Sequence, residues 1–461
     1  MKRKQKGRMS RREFLGTSLL GGAALAAKPL APLIRTGGKK SAARPNILLI
    51  ITDQQGLDAL SAAGCWYLHT PNMDRIKSRG VSFQESYSAN PLCSPDRSSL
   101  FTGRTCSETG VIYNGLTIRD GIPNLGQWLS DRGYRTIYTG KWHLPHGYQT
   151  EIPGFEVLPA GIGLRGTVGD ATVSRAAEGF LRNYTGGKPF FLVASLLQPH
   201  DICGWIGRRN KSLSRIPFAG ISEQLPSLPP NFSALPEEPA KANIARKSSW
   251  NELTWRYYLW SYYRMVEEVD CEIGRILDAL EETGLGSQTL VIFTSDHGEG
   301  RGRHRTVLKN FLYEEAAKVP LMFSFPGEIP ENRTDAEHLV SALDLVPTVC
   351  DYAGVPAPPH QRGFSLRPVL EGKAVPWREF VVSEVMRDQG RMVRTPEFKL
   401  IAYRDDPVLQ LFDIQKDPWE TENLAGNPRY AAELSEMKRI LTRWERTLEP
   451  APNARGPFIL E

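Results

Sequence analysis

Residues 90–104 read N-P-L-C-S-P-D-R-S-S-L-F-T-G-R, and their spacing suits chemistry on an anion. Cys93, Pro95 and Arg97 stand at i, i+2 and i+4. Proline is tolerated in the first turn of a helix, where its missing N–H would be unpaired in any case. A helix from Ser94 is therefore predicted, with Cys93 at its N-terminus. Backbone N–H groups and the positive end of the helix dipole converge there, which favours an anion and a reactive form of the side chain. Arg97, one turn on, adds a permanent cation with a planar fork of donors. Singly, these residues have plainer readings as a buried thiol, a helix-starting proline and a solvated guanidinium. Jointly they point to attack on a tetrahedral oxyanion.

The elements that must position such a site are legible as four apolar runs of strand length. Residues 46–52, 135–139, 190–197 and 289–295 have the continuous hydrophobicity of buried parallel strands. Each is followed by polar residues: Asp53-Gln54, Gly140-Lys141-Trp142-His143, Gln198-Pro199-His200-Asp201 and Asp296-His297-Gly298-Glu299. Open α/β sheets form their binding crevice at the carboxyl ends of their strands. That one regularity gathers Asp53, Lys141, His143, His200, Asp296 and His297 toward a common site, and Lys309 follows the last of them closely. Arg301 and Arg305 in the same stretch read as a solvated charge run, while His146 and His304 stay open between structure and function.

Between the strands, residues 123–132 and 253–283 have helical periodicity, the second ending at Gly284. Its aromatic cluster Trp255, Tyr257, Tyr258, Trp260, Tyr262 and Tyr263 reads as core. Residues 203–249 form an insertion rich in Pro, Ser and basic residues and poor in periodicity, which reads equally as a wall for selecting substrate or as a disordered surface loop. From Trp377 onward, short strands over 379–385, 391–394, 398–403 and 410–412 precede a helix over 429–447, a small antiparallel sheet packed by one helix.

The first 26 residues read as an export leader: a basic start, the pair Arg11-Arg12 before Phe14-Leu15, a Gly-rich apolar run and A-L-A at 24–26. The arginine pair resembles a twin-arginine signal, a route that carries folded proteins to the periplasm or beyond. Residues 27–44 read as a linker, 45–375 as the catalytic domain and 376–461 as a C-terminal subdomain. The leader holds seven basic residues and one acid, and the whole chain carries +6, so the remainder is close to neutral. A basic pI is then no argument for nucleic acid. No apolar run reaches the roughly 18 residues of a membrane span. The six cysteines form no C-x-x-C pair, which removes the usual zinc and redox motifs but leaves room for a disulfide or two in an exported protein. No G-x-G-x-x-G follows the first strand, which disfavours a dinucleotide enzyme.

C-x-P-x-R followed by x-x-L-x-T-G-R at 93–104 resembles the signature of the type I sulfatases, in which the cysteine is oxidised after translation to formylglycine. Asp96 stands where that family commonly has Ser or Ala. Leu411-Phe412-Asp413 through Asp417-Pro418 and Asn423-Leu424 resembles the family's C-terminal signature. The resemblance implies an α/β fold like alkaline phosphatase, with a large mixed, mostly parallel sheet between helices and a small C-terminal antiparallel sheet and helix. It implies hydrolysis of a sulfuric ester, with a sulfated poly- or oligosaccharide as the expected substrate, and a formylglycine-generating enzyme as maturation partner. One divalent cation is implied, usually calcium, with Mn2+ or Mg2+ as alternatives, on Asp53, Gln54, residue 93, Asp296 and His297. Asp-Gln stands in place of the family's usual Asp-Asp, and His297 takes the Asn-type ligand position, as in some members. The lower negative charge around the ion is compatible with a weaker calcium site or with another metal, such as manganese, that accepts imidazole. The implied reaction is covalent. A hydroxyl of the hydrated aldehyde at residue 93 attacks sulfur while Arg97, Lys141 and Lys309 spread the charge. His200 or Lys309 protonates the leaving alcohol, and His143 then acts as the base that releases sulfate. Two alternatives share these residues: a phosphonate monoester or phosphodiester hydrolase of the same superfamily, and a catalytically silent sulfated-glycan-binding protein.

Overall fold

The structure is a computed structural model and describes residues 44–160, 165–209, 219–233, 235, 237–247 and 249–460. The expected leader over 1–26 and all but the last residue of the expected linker lie outside them. Residues Arg44–Glu461 form one unit.

The first apolar run becomes β1 (Asn46–Asp53), buried along its whole length. Its side chains alternate between two cores: Ile47, Leu49 and Ile51 face one, Leu48 and Ile50 the other. A strand apolar on both faces must lie inside a sheet covered on both sides, and β1 does. Next come β2 (Val81–Phe83), β3 (Ser86–Tyr87), β4 (Arg135–Gly140), β5 (Glu156–Val157) and β6 (Phe190–Pro199). They are followed by β7 (Thr289–Ser295), β8 (Leu321–Ser324), β9 (Arg333–Asp335) and β10 (Val340–Ser341). The large sheet has the order β5-β4-β6-β1-β7-β8-β2-β9, and β3 pairs with β10 apart from it. Strands β4, β6, β1 and β7 are contiguous and parallel. Strand β8 runs against both β7 and β2, which makes the sheet mixed.

Helices cover both faces. One face packs on Cys93–Thr102 and Leu345–Ala353, the other on Pro71–Ser78, Gly166–Asn183 and Glu252–Glu282. The long helix starts at the cap Asn251, whose side chain accepts from Thr254 N. It buries Trp255, Tyr258, Tyr262, Val266, Val269 and Ile273 at three- and four-residue spacing. Its aromatic cluster divides: Trp255, Tyr258 and Tyr262 are core, whereas Tyr257, Trp260 and Tyr263 are half-exposed, on the turns that face away from the sheet.

The C-terminal strands are β11 (Val381–Val385), β12 (Gly390–Arg394), β13 (Phe398–Tyr403) and β14 (Gln410–Asp413), antiparallel in sequence order. Val393, Leu400 and Leu411 pack under the helix Ala431–Glu445. Met392, Ile401 and Phe412 on the opposite face pack on Phe311, Leu312 and Tyr313 of the large body. No helix of the described residues is long and apolar enough to cross a membrane. All six cysteines are free thiols, so the disulfides allowed for an exported chain are not formed.

Candidate active site

Asp53 and Asp296 are brought side by side by strand register. Thr52 of β1 pairs with Ser295 of β7, so the two carboxylates leave adjacent parallel strands at the same level. Gln54 turns away immediately, with φ of 76°. On the other side Gly140 of β4 pairs with Ser195 of β6. Its φ is 100°, and a Cβ there would lie 1.9 Å from the Ser195 carbonyl oxygen. Only glycine can make that bend, and the bend delivers Lys141 to the site.

The helix predicted from Ser94 starts at Cys93, and all ten of its residues are buried. Cys93 Sγ lies 3.7 Å from Asp53 Oδ1 and 3.2 Å from His297 Nε2. One ligand atom from each of Asp53, Cys93, Asp296 and His297 falls within 4.8 Å of the others, and all four residues are buried. Arg97 commits every nitrogen to protein acceptors. Its Nε donates to Asp296 Oδ2 at 2.9 Å and its Nη2 to Asp53 Oδ2 at 3.0 Å. Its Nη1 donates to the Lys141 carbonyl at 2.7 Å and to Ser195 Oγ at 2.8 Å. Lys141 Nζ reaches Asp53 Oδ2 at 2.6 Å. His200 Nε2 is 3.9 Å from Asp53 Oδ1. Lys309 Nζ donates to Gln54 Oε1 and lies 3.5 Å from Cys203 Sγ.

His143 is held beside the start of the helix: its carbonyl accepts from Ser94 Oγ at 2.6 Å. Its Nδ1 is buried and has no hydrogen-bond partner among the described residues. The amide of Gln54 is taken up by Lys309, Cys203 and Glu299.

Charge explains what this cluster would accept. Burial raises the Asp53 pKa, but Lys141, His200 and Arg97 outweigh it and hold the carboxyl well below its ordinary value. Asp296 is pushed up to about 6, first by burial and then by the charge of Asp53. Burial and Asp53 also raise the Cys93 thiol, yet Lys141, Lys309 and His297 together bring it well below the usual thiol range. Burial, Lys309 and Lys141 lower His200 to about 4, so it is neutral near pH 7. Two crowded carboxylates, one of them resisting ionisation, are a donor set that a divalent cation satisfies. His297 fits as well: burial lowers its pKa, but Asp296 and the thiol raise it to about 9, and with Nδ1 2.9 Å from the Gly298 carbonyl as donor, Nε2 is the atom that would give up its proton to a bound cation.

Several neighbours carried no signal in the linear sequence. Ser195 bridges Arg97 and the Lys141 carbonyl. Cys203, at the start of the insertion, meets Gln54 at 3.3 Å. Glu299 stands two residues after His297, among the polar residues that end β7, but nothing in its spacing gave it a partner. Arg301 and Arg305 depart from the solvated run expected of them. Arg301 is buried and pairs with Asp58, because its chain folds back under the loop after β1. Arg305 is half-buried over the Phe232 ring. His304 is buried between Glu315 and the Glu420 carbonyl, a structural position, and His146 is exposed.

Fold and site define a hydrolase of the alkaline phosphatase-like class, with Asp53, Cys93, Asp296 and His297 grouped where they could hold a metal ion. Within that class the chain belongs to the sulfatase family, whose profile matches residues 45–355. The profile of the N-sulphoglucosamine sulphohydrolase C-terminal region matches 302–447. The chain is 32% identical over 434 residues to the delta 4,5-hexuronate-2-O-sulfatase of Bacteroides thetaiotaomicron, covering 86% of this chain and 88% of that protein. A solved structure of a 2-O GAG sulfatase superposes with a TM-score of 0.79 at 29% identity, over 88% of this chain and 95% of that one. The phosphonate monoester hydrolase of Agrobacterium radiobacter superposes with a TM-score of 0.72 at 26% identity, over 88% and 96%.

Proposed function

We propose that this sulfatase releases inorganic sulfate from a sulfated saccharide, with residue 93 matured to formylglycine by a formylglycine-generating enzyme. The observation that carries the reading is the convergence of Lys141, Lys309 and His200 around residue 93 at a helix N-terminus. The similarity to the hexuronate-2-O-sulfatase and the 2-O GAG sulfatase supports a saccharide as the carrier of the ester. The twin-arginine motif supports export to the periplasm or the exterior.

Cys93 Sγ stands in for the oxygen that formylglycine would present at this position. The modified residue supplies a hydroxyl nucleophile, and a bound divalent cation, calcium in our reading, supplies Lewis-acid stabilisation of the ester oxygens. Asp53, Asp296, His297 and residue 93 would hold that ion, with the Gln54 oxygen available from the side of Lys309. Arg97, with four of its five N–H groups engaged by Asp53, Asp296, Ser195 and the Lys141 carbonyl, acts by fixing both carboxylates and the Lys141 backbone. Lys141 and Lys309 offer their ammonium groups to the charge that grows on the sulfate oxygens. Burial lowers the Lys309 pKa, but the surrounding thiol and carboxylate groups outweigh it and raise it above its ordinary value. Nζ therefore keeps its proton for an oxygen leaving beside it, while His200 contributes a neutral N–H. His143 Nδ1, buried and unpartnered, is the acceptor for the proton whose removal frees sulfate.

The Asp53-Gln54 pair and the fold shared with the phosphonate monoester hydrolase support a second reading, in which phosphorus esters are also turned over. Matched aryl sulfate and aryl phosphonate substrates, with sulfate release from 2-O-sulfated uronides measured alongside, test both. Faster turnover of sulfate esters is expected. Preference for the phosphonate would overturn the first reading in favour of the second.

A further inference from the structure

A cleft of about 680 Å³ opens outside the catalytic cluster, and none of Asp53, Lys141, His143, His200 or Lys309 lines it. It is built by the loops that leave the same two central strands: Leu57 and Asp58 after β1, Arg301 and Arg303 after β7. Its size is that of a ligand pocket.

Its wall is an aromatic platform. Trp66 is 79% exposed, the most exposed large hydrophobic side chain among the described residues. It stacks on Tyr67 at 4.4 Å, and Tyr67 lies nearly parallel to Tyr263 at 6.1 Å and 7°. The platform is pinned from behind: the Tyr67 hydroxyl accepts from Ser227 N at 3.0 Å, and Arg264 donates to the Tyr67 carbonyl. Leaving a Trp ring in water forgoes the burial that usually stabilises it.

The floor is cationic. Asp58 is shared by Arg301 and Arg303, so one carboxylate faces two guanidinium groups. Lys318 on the same lining pairs with Glu85 at 2.7 Å and Glu314 with Lys399 at 2.9 Å, so each is balanced by its own partner and one positive charge of the Arg301-Arg303-Asp58 group is left in excess. Arg303 also lies 4.5 Å over the Trp419 ring and is held flat to the cleft.

Rigid aromatic faces accept the C–H faces of pyranose rings, and forked guanidinium groups accept sulfate or carboxylate. We infer that this cleft is a second, non-catalytic binding site for a stretch of sulfated polysaccharide, apart from the ester being cleaved. The choice of saccharide rests on the substrate class proposed above. The site would anchor a polymer while its sulfate groups are presented to the catalytic centre.

The test uses the matured, metal-loaded protein and heparin as the probe, with dextran as a neutral control. The variants are Trp66→Ala, an exposed position whose loss leaves the core intact, and Arg303→Gln. The Kd for heparin is expected to rise about tenfold in each, the usual scale for an aromatic or arginine anchor, with kcat/KM on a small aryl sulfate unchanged. Heparin that fails to bind, that binds no better than dextran, or that binds either variant as it binds wild type overturns the site. Sulfate release from sulfated saccharides, read separately on the wild-type protein, tells failure of this cleft from failure of the substrate assignment.

Discussion

Glu299 accepts a hydrogen bond from the side-chain nitrogen of Gln54. A carboxylate can only accept, and this one also accepts from the Tyr258 hydroxyl and Leu308 N. The Gln54 amide therefore has one orientation, with its oxygen turned to Lys309. Glu299→Gln removes that selection, since a second amide can present either end. We expect kcat to fall about 10- to 100-fold, the scale for residues that orient an ion's immediate neighbours, with metal content by elemental analysis unchanged. An unaltered kcat would contradict this role.

Lys141 is the cation in nearest contact with Asp53, at 2.6 Å, in a buried site. Lys141→Met keeps the stem and deletes the charge. Loss of a donor aimed at developing oxyanion charge costs about 10²- to 10³-fold in kcat, and that loss is expected on an aryl sulfate. A fall in Tm should accompany it, because Asp53 keeps only Arg97 as a close permanent cation. Equal loss in kcat and kcat/KM would place the interaction in the transition state.

The four central strands, their parallel direction and the gathering of Asp53, Lys141, His200 and Asp296 at their carboxyl ends were legible in the sequence, because buried parallel strands leave an unbroken apolar signature that stops where the chain becomes polar; the order of the strands was not. The small C-terminal sheet was legible from alternation and turns. Arg301 was not: its partner Asp58 is more than two hundred positions away, and an arginine in a basic run looks the same whether solvated or buried. Ser195 and Glu299 were hidden for a similar reason, since a hydroxyl within an apolar strand or a carboxylate after a ligand pair gains meaning only from what stands opposite. The division of the long helix's aromatics between core and surface depends on which turns face the sheet, which periodicity narrows but does not decide.

Metal removal should act on both turnover and stability. Without the ion, Asp53 and Asp296 crowd one another, and burial with that crowding drives Asp296 up to about 6. Exhaustive chelation is expected to abolish sulfate release and lower Tm by several degrees. Calcium should restore both more fully than magnesium or manganese. Restoration by manganese alone would reassign the ion, and retained activity after chelation would contradict the site.

Asp170 anchors the end of β6 just before His200, accepting from Leu197 N at 2.6 Å and Gln198 N at 2.8 Å through separate oxygens. Burial pushes its pKa up to about 7, against the lowering effect of those bonds. A carboxyl raised in the folded state binds its proton more tightly there than in the unfolded chain. Its contribution to stability is full below the ordinary carboxyl value and is lost as pH rises toward 7. Asp170→Asn places an NH2 against a backbone N–H, so it should be less stable than wild type and show reduced kcat. Because it does not titrate, its Tm deficit should shrink between pH 5 and pH 8. A deficit constant across that range would contradict the assignment.

The central claim is that residue 93, at the N-terminus of a buried helix and facing Asp53 and His297, is the matured nucleophile. It is tested most directly by the mass of the tryptic peptide 80–97, from protein produced in its own host or together with a formylglycine-generating enzyme. An aldehyde or its hydrate at residue 93 is the predicted result. An unmodified thiol, under conditions that convert a control sulfatase, would contradict the account.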